Sequence, residues 1–480
     1  MRICTHLFKL LKLIEMRKNM ESRETIAAIA TGMGNAGIGI VRISGDDAIA
    51  VADKVFKGKN NKKLADSRSH IAHYGHIYDG EELIDEALVL VMKAPNTYTR
   101  ENVVEIDCHG GAYVTRRILE LVIKNGARAA EPGEFTKRAF LNGRIDLAQA
   151  EAVIDVINAK NSYALKSSVS MLNGRLSTEI KKIREELIYN IAFIEAALDD
   201  PEHISLDNFV DKLDNYVDKW INAVDKLLTS VDNGKIFTEG VRTVILGKPN
   251  AGKSSLLNTL LGEERAIVTD IAGTTRDTLE EQINLHGIIL KLIDTAGIRQ
   301  TEDIVEKLGV DKSRRFAKDA DLIIYVVDSS TELDDNDMDI ISMINEGVAG
   351  KVIVLLNKSD LVARTTENDI KSYIDCPVIN ISAKEQAGID ELEKKLEEMF
   401  LGGELAYNDE IMITRVRQKD ALRRAKESLE LVKDGIAMAV PEDLLTIDLM
   451  NGYEELGKII GESVEEDLVN EIFSKFCMGK

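Results

Sequence analysis

Midway along the chain, Gly247-Lys248-Pro249-Asn250-Ala251-Gly252-Lys253-Ser254 has the residue types and spacing to hold a polyphosphate. In this G-x-x-x-x-G-K-S pattern, backbone N–H groups wrap phosphate oxygens, Lys253 reaches the β- and γ-phosphates, and the Ser254 hydroxyl is offered to Mg²⁺. The apolar run Val241 to Leu246 before it predicts a strand, and Ser255 to Leu261 after it predicts a helix start. A chance glycine turn would satisfy the spacing without both flanks.

Further motifs follow in the order a nucleotide site needs. Gly273-Thr274-Thr275-Arg276-Asp277 offers hydroxyls for a switch loop, one of them reaching Mg²⁺ when triphosphate is bound. Asp294-Thr295-Ala296-Gly297 puts Asp294 in the Mg²⁺ region and leaves room at Gly297 for the γ-phosphate. In Asn357-Lys358-Ser359-Asp360, the Asp360 carboxylate can accept from guanine N1–H and the 2-amino group together; adenine lacks that pair, so GTP is the expected nucleotide. Ser382-Ala383-Lys384 completes the set. Ile298 stands where Ras-like enzymes carry a water-orienting Gln, a role a hydrocarbon cannot fill. Glu306, on the following helical pattern, can polarise a water, although an exposed helix Glu is ordinarily a solvated charge.

These residues need a scaffold that aims them. A hairpin of Leu279 to Leu285 and Ile289 to Ile293, joined at His286-Gly287, precedes strands from Leu322 to Val327, Val352 to Leu356 and Pro377 to Ile381. Strands alternating with helices predict a doubly wound, mostly parallel sheet with ligand at the carboxyl ends of its strands. Before it, strand-like runs at Thr25 to Thr31, Gly37 to Ser44, Ala87 to Met92 and Val103 to Cys108, with a helix through Val114, Ile118, Leu121 and Val122 ending at Asn125-Gly126, predict a small α+β domain. Arg42 and Glu105 fall within its strands, where a lone charge is usually just solvated. Between the two, Leu176, Ile180, Ile183, Leu187, Ile191, Ile194 and Leu198 step as a bundle seam does, and Val210, Leu213, Val217, Trp220, Ile221, Val224 and Leu228 mark a second helix. Two helices cannot cover both seams. The helical patterns at Leu422, Ala425 and Leu429, at Leu444, Ile447, Met450 and Tyr453, and at Leu468, Ile472 and Phe476 supply the rest, so the nucleotide domain reads as an insertion in a helical domain.

The 480 residues allow about three domains. A formal net charge of −21 argues against a general grip on nucleic-acid phosphates, so RNA would need a basic partner. The four cysteines, Cys4, Cys108, Cys376 and Cys477, are too scattered for zinc and suit a reducing cytosol. Met1 to Met20 mixes Leu and Ile with Arg and Lys in stretches too short to span a bilayer; an upstream start before an ordered protein beginning near Met20 is the expected reading, with a short targeting helix as the alternative.

The phosphate loop, the G-T-T-R-D switch, the hydrophobic residue after D-T-A-G, the split helical domain, the terminal Cys477-Met478-Gly479-Lys480 and the segment Pro132 to Ala152 together resemble the MnmE (TrmE) family of tRNA wobble-uridine modification GTPases, from about Thr25 to Lys480. Glu131, where the family often carries a basic residue, and Met478, where Ile or Leu is usual, depart from it. The resemblance implies an N-terminal extension at 1–20, a folate-binding and dimerisation α+β domain at 21–142, helical halves at 143–235 and 402–480, and an inserted Ras-like P-loop GTPase domain at 236–401. It implies a homodimer working with tRNA and the FAD-dependent MnmG (GidA), without membrane attachment, in the cytoplasm. A one-carbon folate such as 5-formyltetrahydrofolate would meet Arg42, Glu105, Arg144 and Lys480, and Cys477 would act near the uridine. K⁺ would sit at Asn250, Thr269, Ile271 and Thr274, and Mg²⁺ at Ser254 and Thr275. Glu306 would orient water. GTP would be held by Asn250 to Ser255, Thr269, Asp270, Ile271, Ala272, Gly273, Thr274, Thr275, Asp294, Thr295, Ala296, Gly297, Asn357, Lys358, Asp360, Ser382, Ala383 and Lys384. A regulatory ribosome-assembly GTPase is the alternative; it predicts an appended RNA-binding module, and the sequence has no G-x-x-G loop in a basic setting. A scaffold with vestigial nucleotide binding would require degraded motifs.

Overall fold

The computed structural model describes residues 24–32, 34–58, 63–206, 209–262, 281–285, 288–293, 320–346, 351–401, 413–462, 466–476 and 479. The chain divides into two compact units, residues 1–158, 168–225 and 416–480 in one, and 159–167 with 226–415 in the other.

The first unit opens with β1 (Ile26–Ile29), β2 (Ala36–Ser44), α1 (Ala48–Val55), β3 (Phe56–Gly58), β4 (Ile71–Asp79), β5 (Glu82–Met92), β6 (Val103–Gly110), α2 (Ala112–Lys124) and β7 (Arg128–Ala129). The strands form one sheet in the order β3-β4-β5-β6-β2-β1-β7, antiparallel except for β1 against β7. Side chains alternate along the strands. Val41, Ile43, Val89, Val91, Val104 and Ile106 face a core closed by Val51 and Val55 of α1 and Ile118, Leu121 and Val122 of α2. The other face carries Arg42 directly opposite Glu105. Their pairing across strands replaces the lone solvated charges that the sequence suggests. Strands β3, β4 and β7 and helix α1 go beyond the sequence expectation. The reason is local: β4 buries only Gly75 and Ile77, and β7 is two residues long.

Helices α3 (Glu134–Leu141), α4 (Leu147–Asn158), α5 (Ser162–Leu172), α6 (Arg175–Asp199) and α7 (Phe209–Glu239) follow. The α6 seam from Leu176 to Ile194 is buried, but Leu198 is 47% exposed, because the chain there is about to leave the helix at Asp200.

The second unit holds β8 (Val241–Leu246), α8 (Lys253–Leu260), β9 (Glu281–Leu285), β10 (Ile288–Leu292), β11 (Leu322–Asp328), α9 (Asp335–Asn345), β12 (Lys351–Asn357), α10 (Glu367–Lys371), β13 (Val378–Asn380) and α11 (Ile389–Leu401). The order is β13-β12-β11-β8-β10-β9, parallel apart from the β9–β10 hairpin. Every residue of β11 is buried, the near-continuous apolar run that a strand covered on both faces requires. Leu256, Leu260, Leu392 and Leu396 of α8 and α11 pack on one face of the sheet, and Ile341, Ile344 and Ile370 of α9 and α10 on the other. This is the doubly wound arrangement, which opens its ligand crevice at the carboxyl ends of the strands.

The chain returns to the first unit in α12 (Val416–Ala437), α13 (Glu442–Ile460) and α14 (Glu466–Ser474), the C-terminal helices the seams called for. Helix α13 buries Leu445, Leu449, Leu456, Ile459 and Ile460, whereas Leu444 of the expected stripe is 49% exposed. The neighbour decides the face: Gly452 of α13 is buried against α12, beside Leu429 and Ala425. Arg417 fastens this part. It donates to both oxygens of the buried Glu151 carboxylate, at 2.8 and 3.2 Å, and to the Lys458 and Ile459 carbonyls at the end of α13. Gln418 adds a third bond to Glu151 at 2.7 Å. No helix among the described residues is long and apolar enough to cross a membrane.

Candidate nucleotide-binding site

Strand β8 delivers the chain into a loop that is left-handed at Gly247 (φ +153°), Asn250 (φ +63°) and Gly252 (φ +97°). A side chain on Gly247 would run into the Val326 carbonyl, and one on Gly252 into the Asn357 side-chain nitrogen. The loop closes on Lys253, whose ammonium donates to the carbonyls of Gly247 at 2.5 Å and Lys248 at 2.8 Å. Burial pushes the Lys253 pKa down, but those carbonyls give the ammonium a defined seat. Helix α8 starts here, so its first-turn N–H groups and the positive end of its dipole meet the same cradle. Ser254 and Ser255 lie exposed in that first turn.

Asn357, at the end of β12, ties this loop to the next motif. Its amide nitrogen donates to the Ala251 carbonyl at 2.8 Å, while its amide oxygen accepts the Ala383 N–H at 3.0 Å. Thr259 of α8 donates to the Ala383 carbonyl at 2.9 Å. Beside them, Asp360 accepts the Ser382 hydroxyl at 2.6 Å, which chiefly holds its pKa below the usual carboxylate range and keeps it an acceptor. Lys358, left-handed at φ +63°, pairs with Asp328 at the end of β11; burial raises the Asp328 pKa, but this pair and the Ser330 bonds outweigh it and hold the carboxyl low. Lys384 is exposed and 3.3 Å from Glu385. Because Gly252 abuts Asn357, Gly252→Ala should push the two loops apart and weaken guanine-nucleotide binding by about tenfold or more, readable by fluorescence titration with a labelled GDP.

A second cluster lies in the N-terminal sheet. Arg42 donates from Nε to Glu105 Oε1 at 2.7 Å and from Nη1 to the Gly479 carbonyl at 3.2 Å, and its guanidinium is 5.7 Å from the Phe135 ring. Arg144 stands 4.7 Å over the ring of Tyr98, whose hydroxyl is 2.9 Å from Thr136 Oγ1. Burial pushes the Tyr98 pKa up, with the Thr136 bond, Arg144 and Arg42 pulling it back. Gly479 is left-handed (φ +85°), and a side chain there would run into the Ile29 carbonyl, so glycine is required.

A family model for the MnmE helical domain matches residues 147–477, and one for the N-terminus of the GTP-binding protein TrmE matches residues 25–144. The tRNA modification GTPase MnmE of Lachnoclostridium phytofermentans is 58% identical over 458 residues, covering 95% of this chain and 99% of that protein. The chain belongs to the MnmE (TrmE) family. The tRNA modification GTPase MnmE of Acetivibrio thermocellus is 48% identical over 464 residues, 96% of this chain and 100% of that protein. Among solved structures, the G domain of the T. maritima FeoB iron transporter is 28% identical over 33% of this chain and 97% of that one, with a TM-score of 0.26.

In this member of the MnmE family, Asn250, Ala251, Gly252, Lys253, Ser254, Ser255, Asn357, Lys358, Asp360, Ser382, Ala383 and Lys384 come together around the loops that follow β8, β12 and β13. Arg42 and Glu105 meet, and Arg144 stands over the Tyr98 ring. Thr269, Asp270, Ile271, Ala272, Gly273, Thr274, Thr275, Asp294, Thr295, Ala296, Gly297, Glu306, Cys477 and Lys480 lie outside the described residues. Sequence reasoning missed Tyr98, Gly479 and Asp328. Gly479 had a signal, a glycine inside the terminal motif; Tyr98 and Asp328 had none, since Arg144 and Lys358, which tie them to the two sites, are remote in sequence.

Proposed function

We propose that this chain hydrolyses GTP as one component of a tRNA-modifying complex that installs an aminomethyl or carboxymethylaminomethyl group at C5 of the wobble uridine. The observation that carries the reading is the Asn357 side chain, which joins the phosphate loop at Ala251 to the Ala383 loop and so sets the phosphate cradle and the base-reading Asp360 on one rim. Its relatives' shared name, tRNA modification GTPase MnmE, supports the RNA side of the proposal. The domain limits we assign are 21–142, 143–235 with 402–480, and 236–401.

Lys253 holds the β- and γ-phosphates, and Asp360 reads the guanine edge. Ser254, exposed in the first turn of α8, has the hard oxygen that suits Mg²⁺, with Thr275 as its partner ligand. Asn250 offers an amide oxygen to K⁺, completed by Thr269, Ile271 and Thr274. When bound, these cations supply positive charge to the phosphates. Glu306 orients the attacking water, and hydrolysis drives association of two G domains rather than the carbon chemistry. Arg42, Glu105, Arg144 and Lys480 hold a one-carbon folate: Glu105 suits the pterin amino and ring N–H groups, and the arginines suit carboxylates. Cys477 acts near the uridine. The working assembly is a cytoplasmic homodimer with MnmG and tRNA, which matches the acidic balance of this chain.

The test is the GTPase rate in K⁺ against Na⁺ at equal ionic strength, for the wild type, Asn250→Ala and Glu306→Ala. A stimulation by K⁺ of about tenfold or more, lost in both variants, is expected. Equal wild-type rates in the two salts would remove the cation site and the dimerisation step built on it.

A further inference from the structure

The phosphate loop is anchored by a side chain that the proposed mechanism does not use. Lys248 follows Gly247, and its side chain is 11% exposed. The ammonium donates to Asp337 Oδ2 at 2.8 Å and to Asp334 Oδ2 at 3.1 Å. Asp337 is fully buried. Its Oδ1 accepts the hydroxyl of Tyr325, itself fully buried on β11, at 2.9 Å, and its Oδ2 also accepts the Asp334 N–H at 3.2 Å. A carboxylate in that position is tolerable only with a cation and a full set of donors. Capping of α9 does not need Lys248, since Asp334 accepts the N–H groups of Asn336 and Asp337. The lysine does something else.

Its backbone shows what. The Lys248 carbonyl accepts the Lys253 ammonium at 2.8 Å and the Ala251 N–H at 3.3 Å. One residue thus grips a buried carboxylate with its side chain and seats the phosphate-binding lysine with its main chain. We propose that Lys248 is a positioning residue: anchored to Asp337 and Tyr325, it fixes the carbonyl against which Lys253 rests and thereby sets the site's grip on the terminal phosphate of GTP. The inference deepens the nucleotide reading above and rests on it. Lys253 meets two phosphates in GTP and one in GDP, and both nucleotides keep the loop N–H groups, so a displaced ammonium should cost GTP more than GDP.

The experiment is titration of the full chain with fluorescent GDP and with a non-hydrolysable GTP analogue, in wild type, Lys248→Gln, Lys248→Arg, Asp337→Asn and the Lys248→Gln/Asp337→Asn double variant. Lys248→Gln is expected to weaken the GTP analogue about tenfold and GDP by less than about threefold. Lys248→Arg should restore the wild-type ratio, because a guanidinium can serve both carboxylates. The double variant should be no worse than Lys248→Gln, since both changes break one tether. If Asp337→Asn does not fold, the Gln loss and Arg rescue decide alone. Equal losses for both nucleotides, no rescue by Arg, or additive losses in the double variant would overturn the positioning role. Wild type that binds neither nucleotide would overturn the underlying GTP reading; wild type that binds both, with an unchanged ratio in Lys248→Gln, would overturn only this inference.

Discussion

Asp360→Asn should convert the site from guanine to xanthine nucleotides. The carboxylate offers two acceptors to the N1–H and 2-amino donors of guanine, and the Ser382 hydroxyl at 2.6 Å holds it in place and ionised. An asparagine offers one acceptor and one donor, which meets N1–H but faces the 2-amino group with an N–H. Xanthine carries a carbonyl at that position and complements the amide. Sites built around hydrogen bonds discriminate strongly against a mismatched partner, so GTP affinity should fall by about 100-fold or more while XTP gains by a similar factor. Competition of XTP and GTP for a labelled guanine nucleotide checks it. Parallel losses for both bases would mean that Asp360 supports the loop rather than reads the base.

Arg138→Met should produce the largest loss of stability. The Arg138 side chain is 4% exposed and donates to Glu101 at 3.1 Å, Glu134 at 2.9 Å and the Glu24 carbonyl at 3.0 Å. Ser44 also donates to Glu101, and Arg128 and the Glu131 N–H to Glu134. Removing the buried cation strips two largely buried carboxylates of a charge partner, at a cost of roughly 3–5 kcal/mol. Faster amide exchange through β1 and β7, beside this network, is the readout. A pH signature accompanies it. Burial raises the Glu134 pKa, but Arg128, the Glu131 N–H and Arg138 outweigh it and leave it lowered. A carboxylate whose folded pKa is depressed contributes stability above its unfolded pKa, and that contribution disappears as pH falls through the folded value. Wild type should therefore lose N-terminal protection on acidification below about pH 4.3, while Arg138→Met shows a flatter profile. Wild-type exchange rates in the variant would mean that the network relaxes without its arginine.

Local pattern carried most of the architecture. The α6 seam, the β8 run and the phosphate loop are each written within a few residues of themselves, and the fold places them where periodicity and glycine spacing predict. What stayed hidden depends on long closures. Lys248 finds Asp337 89 positions away, Asn357 reaches Ala251 across 106, and Arg42 meets Gly479 across 437. No window of sequence holds both ends of such a contact. Helix α13 illustrates a subtler limit: two apolar stripes share it, and only the neighbouring helices α12 and α6 choose between them.

The bond between Arg417 and Glu151 spans 266 positions, which has a meaning for the chain as it is made. At about 5–20 residues per second, Glu151 emerges from the ribosome on the order of tens of seconds before its arginine exists. Both sheets are complete by then and can close on the nascent chain, whereas α4 and α6 must wait with a carboxylate and an apolar seam uncovered. A segment translated late thus finishes a core begun near the start, and until it arrives the seam of α6 and the Glu151 carboxylate lack the partners that cover them.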